Sequence, residues 1–202
     1  FQHQRAARGE GLTRPELAVL LAYAKLSLFD AVIASSVPDD AYLGRELARY
    51  FPDALNGRFR AQIEHHRLKR EIIATGLVNA TINRGGPTMI PRIADQTGAT
   101  GPEIVAAFTA VRDAFGLTTL NGAIDALDAR VPGELQLRLY AGVQDTMLDR
   151  TVWMLREGGL GAGLARVVKR FGAGASALDA ALDRVLPAHV LAQVSMDASD
   201  LA

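Results

Sequence analysis

The 202 residues are 49% hydrophobic and 22% charged, a composition that folds and that suffices for one sizeable core or two small helical lobes. Lys and Arg (22) balance Asp and Glu (22), so the cationic excess of a nucleic-acid or anionic-membrane binder is missing, and the absence of cysteine excludes disulfides, thiolate metal sites and a cysteine nucleophile. No apolar stretch reaches membrane-span length without a charge, and the stretch from Phe1 to Glu10 lacks the apolar segment of a signal peptide. A chain that opens on Phe1 rather than on methionine reads as a fragment of a larger protein, expected in the cytoplasm.

In chain order, Thr13-Arg14-Pro15-Glu16 forms a capping box, with proline in the first turn where its missing N–H costs nothing. The run 17–34 is broken only by Lys25, Ser27 and Asp30, which predicts a helix buried on several sides. Ser35-Ser36-Val37-Pro38 ends it. Asp39 is expected to cap a shorter helix through Phe51, stopped by Pro52. After a turn at Asn56-Gly57 comes the longest predicted element, 58–84. Its first half is charged (Glu64, His65, His66, Arg67, Lys69, Arg70, Glu71). Its second half, 72–82, is apolar apart from Thr75, Gly76, Asn79 and Thr81, and Gly85-Gly86-Pro87 terminates it. Thr88 caps a helix through Thr97, with Pro91 in the first turn and Gly98 as the stop. Thr100-Gly101-Pro102-Glu103 is a second capping box, for a helix ending at Gly116.

Further helices are predicted over 119–129, 132–157, 164–171 and 176–185, with a last turn after Pro187, and no alternating strand of useful length is found. The fold expected is all-α, a multi-helix domain of mixed crossing angles without significant β-sheet, built around the 17–34 and 72–82 helices. The Gly/Ala-rich stretch 158–177 is read as a hinge between a main body, 1–157, and a C-terminal helical lobe, 158–202.

Several constellations invite chemistry. Residues 93–112 have the outline of a helix-turn-helix, but the second helix offers Glu103, Ala106, Ala107, Thr109 and Ala110 with a single cation, Arg112; a packing hairpin is preferred to a DNA reader. His65 and His66, beside Glu64, point about 100° apart on a helix. The positions four residues on hold Lys69 and Arg70, so a shared metal ion is disfavoured, and His3 and His189 are remote in sequence. Gly159-Leu160-Gly161-Ala162-Gly163 has phosphate-loop composition, yet a helix precedes it and Leu164 stands where the third glycine of a dinucleotide fingerprint belongs. Ser35-Ser36 lacks a nucleophile-elbow context. The carboxylate pairs Asp125/Asp128 and Asp179/Asp183 read as solvated helix faces. No catalytic, cofactor-binding or metal-binding residue is assigned. Thr75, Asn79 and Asn83 recur every four residues along the long helix, with Arg84 beside them. They are expected to face protein with their polar groups paired, either as a structural hydrogen-bond ladder or as a ligand or domain-contact stripe.

Longer words are more specific. Leu12-Thr13-Arg14-Pro15-Glu16-Leu17-Ala18-Val19-Leu20-Leu21-Ala22-Tyr23-Ala24-Lys25 is followed by Tyr50-Phe51-Pro52 and by His66-Arg67-Leu68-Lys69-Arg70-Glu71-Ile72-Ile73-Ala74-Thr75. Asn79, Asn83-Arg84-Gly85-Gly86 and Arg112-Asp113-Ala114-Phe115-Gly116-Leu117 complete the set. In this order the set resembles the C-terminal region of the large bacterial NAD-dependent glutamate dehydrogenases, densely from Leu12 to about Leu120 and weakly past Gly158. The resemblance implies a parent that oxidises glutamate to 2-oxoglutarate and ammonia with NAD. The catalytic lysine and aspartate and the Rossmann fold of that family lie upstream, and none of them maps onto this chain. The implied role is that of a non-catalytic accessory domain in assembly or regulation. Its expected partners are the catalytic domain of the same chain and other subunits, with no nucleic acid and no membrane. A free-standing helical binding module, carrying the hairpin at 93–112, is the alternative.

Overall fold

The structure, a computed structural model, describes residues 8–9, 11–86, 88–181, 184 and 186–189. His3, most of the Phe1 to Glu10 stretch, Pro87, Asp183, the end of the predicted 176–185 helix and the residues beyond His189 lie outside that set. Among the described residues every regular element is helical: α1 (Arg14–Ile33), a 3-10 turn (Val37–Asp39), α2 (Gly44–Tyr50), α3 (Asp53–Glu64), α4 (Lys69–Gly85), α5 (Met89–Thr97), α6 (Gly101–Ala114), α7 (Leu117–Asp125), α8 (Gly133–Glu157), a second 3-10 turn (Leu160–Ala162) and α9 (Leu164–Asp179).

The centre of the fold is α6. Its apolar residues go all the way round, and Ile104, Val105, Ala107, Phe108, Ala110, Val111 and Ala114 are buried. A helix without a polar face must be enclosed, and α1, α4, α5, α7, α8 and α9 all pack on it. Buried threonines avoid stranding a polar group by bonding back to the previous turn of their own helices. Thr109 Oγ1 donates to the Val105 carbonyl at 2.8 Å, Thr81 to Leu77 at 2.9 Å and Thr151 to Met147 at 2.6 Å.

Both capping boxes form. The backbone N–H and the hydroxyl of Thr13 donate to Glu16 at 2.8 Å, and those of Thr100 donate to Glu103 at 2.7 Å. Gly98 (φ +72°) and Gly116 (φ +64°) take the left-handed conformation where the sequence places the ends of α5 and α6.

The predicted 58–84 helix is two helices. α3 already starts at Asp53, because Pro52 sits at its N-cap, and Asn56-Gly57 lies inside it. The Asn56 amide donates to the Ala48 and Phe51 carbonyls at 2.7 and 2.8 Å, satisfying the end of α2 instead of making a turn. The chain then breaks at the histidines. His65 Nδ1 lies 2.8 Å from the Ala61 carbonyl, and the Leu68 N–H donates to His66 Nδ1 at 3.1 Å. Side-chain bonds to local backbone thus compete with the helical ladder.

Asp39 caps no helix. It lies in the 3-10 turn and pairs with Arg70, whose guanidinium also donates to the Ile33 and Ser35 carbonyls at 2.8 and 3.0 Å. An arginine of α4 therefore closes the C-terminus of α1. α7 begins at Leu117 and ends at Asp125, before Ala129, which the sequence placed inside the helix and which instead adopts φ +60°. The predicted 164–171 and 176–185 helices are joined, since Gly172-Ala173-Gly174-Ala175 stays helical within α9. Leu164 and Val167 at its start belong to the same hydrophobic core as the other helices.

The largest departure concerns α1. Only Leu28 and Val32 are buried on it, whereas Leu17, Val19, Tyr23 and Leu26 are exposed. The expectation of burial on several sides is not met among the described residues: the apolar surface of α1 exceeds what α4 and α6 cover.

Thr13→Ala should cost about 1 kcal/mol, seen as a lower denaturant midpoint at unchanged slope. Thr100→Ala should cost as much at neutral pH. Bonds from the Thr100 hydroxyl and backbone hold the Glu103 carboxyl below its ordinary range. That stabilisation is complete above the ordinary glutamate pKa and is lost as pH falls through the lowered value. The cost of Thr100→Ala should therefore shrink in an acid titration of the midpoint. Ala129→Gly should raise stability by about 1 kcal/mol, because glycine takes a left-handed backbone without the Cβ clash. An unchanged melting temperature would count against the conformation at that residue.

Candidate functional site

On α4 the buried residues are Ile73, Ala74, Leu77, Val78, Thr81 and Ile82. Thr75, Asn79 and Asn83 each follow one residue after such a pair, so their four-residue spacing runs along the flank of the buried stripe. All three, with Arg84, are exposed. The expectation that they face protein is not met within this chain, and pairing is partial. Asn83 Oδ1 accepts from Lys25 Nζ of α1 at 2.6 Å. Arg84 makes a two-point pair with Asp125 of α7, at 3.2 and 2.8 Å, and the Tyr140 hydroxyl of α8 donates to the same carboxylate. The bond from Arg84, then that from Tyr140, holds the Asp125 carboxyl below the usual range. Bonding to Asp125 in turn raises the Tyr140 phenol.

Thr75 and Asn79 line a groove between α1 and α4, of about 470 Å³, whose apolar walls are Ala22, Leu26, Phe29 and Val78. On the other side of Asn79 and Asn83 a cleft of about 540 Å³ opens over Phe108 and Met147. The stripe thus separates two depressions, each with an apolar floor.

A buried ion cluster closes the far wall of that cleft. Arg112 donates to Glu46 of α2 at 2.6 Å and to Asp113 at 2.9 Å, and Arg49 reaches Glu46 at 2.6 Å. Arg45 pairs with Asp113, and the Tyr42 hydroxyl donates to it at 3.2 Å. The side chains of Arg112, Glu46 and Asp113 are only 11%, 8% and 5% exposed. Burial opposes the charge of Arg112, but bonding to Asp113 and the nearby Glu46 carboxylate outweigh it and raise its pKa. Burial, with the Asp113 carboxylate next, pushes the Tyr42 phenol up to about 12. Sequence reasoning missed this cluster. Its signal was a charged pair, Arg112-Asp113, at the end of an otherwise apolar helix. The arrangement ties α2 to α6. Arg112→Leu leaves Glu46 with Arg49 and Asp113 with Arg45 and Tyr42, so it should cost about 1.5–3 kcal/mol in urea unfolding; a loss under about 0.5 kcal/mol, roughly a third of that lower figure, would mean that the cluster is solvated.

The remaining sequence candidates fall elsewhere. The α5–α6 hairpin exists, but α6 is enclosed by other helices and presents no face to a DNA groove. His65 and His66 serve the helix break, and His66 lies against the Phe51 ring at 5.7 Å. Among the described residues no three His, Asp or Glu side chains converge as metal ligands would. The glycine loop follows the 25-residue α8 and holds a 3-10 turn between Gly159 (φ +66°) and Gly163 (φ +94°), not the turn from a strand that a pyrophosphate site requires. Ser35 donates to the Val32 carbonyl at 2.7 Å and accepts from Val37 N–H, ending α1. Asp125, Asp128 and Asp179 are exposed.

Among the described residues the regular elements are all helical, with no strand–glycine-loop–helix unit, and α1, α4 and α6 carry the characteristic words. Residues 9–202 match the family described as glutamate dehydrogenase, C-terminal, and the chain belongs to that family. It is 37% identical over 183 residues to the NAD-specific glutamate dehydrogenase of Pseudomonas aeruginosa, which takes in 91% of this chain and 11% of that protein. It is 39% identical over 154 residues to the enzyme of that description from Halomonas elongata, covering 76% and 10%, and 34% identical over 200 residues to the one from Mycobacterium tuberculosis, covering 98% and 12%. The chain spans about a tenth of the length of these relatives. The likeness extends past Gly158, where the sequence words alone are weak.

Proposed function

We propose that this chain is a non-catalytic accessory domain of an NAD-dependent glutamate dehydrogenase, acting in assembly or regulation of the parent. The parent converts L-glutamate and NAD to 2-oxoglutarate, ammonia and NADH in cytoplasmic amino-acid catabolism, and NAD is bound by the parent's catalytic domain, not by this piece. The domain's partners are that catalytic domain and, in an oligomer, other subunits. Its two parts are the body 1–157 and the lobe 158–202, which docks through α9.

One observation carries the reading. α1 is mostly apolar, yet among the described residues Leu17, Val19, Tyr23 and Leu26 on its outer face are left exposed. A contiguous exposed apolar patch is the mark of a surface with a partner. Thr75, Asn79, Asn83 and Arg84 run alongside as the polar edge of the contact. The family and the names of the relatives supply the parent activity. Hydride transfer needs a site that holds nicotinamide against substrate, and this reading places that site in the parent's catalytic domain.

Calorimetric titration of the isolated chain with NAD at millimolar concentration should show no saturable heat. A parent truncated just before Leu12 should lose activity or assemble abnormally. Saturable binding would sink the non-catalytic assignment; a fully active, normally assembled truncation would sink the assembly role.

A further inference from the structure

Val19, Tyr23 and Leu26 succeed one another at three- and four-residue steps along the outer face of α1, with Tyr23 67% and Leu26 57% exposed. Beside them lies the groove walled by Ala22, Leu26 and Phe29 on α1 and by Thr75, Val78 and Asn79 on α4. A furrow between two packed helices is the shape that accepts the side-chain ridge of a third. The chemistry of the furrow narrows what that ridge can be. The one cation among its lining residues, Lys25, is engaged by Asn83 Oδ1 at 2.6 Å. The other polar groups on the rim, the Thr75 hydroxyl and the Asn79 amide, are neutral. An acidic peptide or a lipid headgroup would compete for an occupied ammonium. An aliphatic ridge carrying one neutral polar group finds an apolar floor and an amide able to donate and accept.

The source of the occupant follows from length. In the relatives, the stretch corresponding to this chain is 10–12% of the polypeptide. Roughly nine-tenths of such a chain lies outside this domain and is covalently tied to it, which keeps its effective concentration high. We infer that the α1–α4 groove seats a helix from the remainder of the same polypeptide, an aliphatic ridge entering between Leu26 and Val78 with a neutral polar side chain on Asn79. The inference rests on reading the chain as part of a glutamate dehydrogenase.

The test uses the full-length dehydrogenase. These 202 residues hold no cysteine, so Leu26→Cys, Asn79→Cys and Leu137→Cys each place one thiol in this region. Leu137, on α8 and outside the groove, is 68% exposed. Labelling with N-ethylmaleimide, followed at the modified peptide by mass spectrometry, should be at least tenfold slower at positions 26 and 79 than at 137, and the protection should survive dilution to the monomer. Equal rates at 26 and 137 overturn the groove, as does protection at 26 without protection at 79. Protection lost on dilution overturns the intrachain occupant, because a second copy then covers the face. Fast labelling at 26 together with an impaired Leu12 truncation removes the groove and leaves the assembly role. A fully active truncation removes the role itself, whatever the labelling shows.

Discussion

A helix with no polar side cannot lie on a surface, and α6 is such a helix. Ile104, Val105, Phe108 and Val111 cover its circumference, and helices from early, middle and late in the described chain close around it. The few polar atoms it carries dictate where its neighbours go. Thr109 turns its hydroxyl back onto its own backbone, so that face stays apolar to its neighbours. Arg112 and Asp113 cannot do the same. They need counter-charges inside the protein, and α2 supplies them with Glu46 and Arg45. The position of this seven-residue helix is thus set by charge at one point and by Leu43 and Leu47 packing at others. Arg70 performs a related task one layer out, holding the end of α1 against α4.

Where a local rule had one strong reading, the sequence was enough. The Thr-x-x-Glu boxes, the prolines at first-turn positions and the glycines after α5 and α6 each have a single low-energy geometry, and the structure contains them. Where two local rules competed, the sequence misled. Asn56-Gly57 looks like a turn, but Asn56 spends its amide on carbonyls of the preceding helix, which no pattern of spacing reveals. His65-His66 looks like continuing helix, because imidazole bonds to nearby backbone leave no trace in hydrophobic periodicity. Gly172 to Ala175 looks like a break, but tertiary contact with α6 overrides the weak propensity of glycine.

The candidate surface was half legible. The polar stripe on α4 was found from its spacing, but the spacing could not tell the flank of a buried stripe from the stripe itself, since the two differ by one residue. The uniform apolarity of α1 was read as burial. On the proposed reading it belongs to the whole parent molecule, of which this chain provides only part of the covering. The ion cluster was invisible because its members come from α2 and α6, more than sixty residues apart in sequence. Family membership, in contrast, was carried by long words in one order, a kind of signal that does not depend on guessing contacts.

The central place of α6 also bears on how the domain comes apart. The loop between α7 and α8 is the natural place for a protease to enter. A cut there leaves α1, α4, α5 and α7 with α6 on one piece, and α8 and α9 on the other. Each piece then owns part of a surface that water should not reach. The fragments have reason to stay together after cleavage, held by the same packing that held the intact chain. Nicking and dissociation are therefore separate events in this domain, and melting is expected to proceed as one cooperative transition instead of helix by helix.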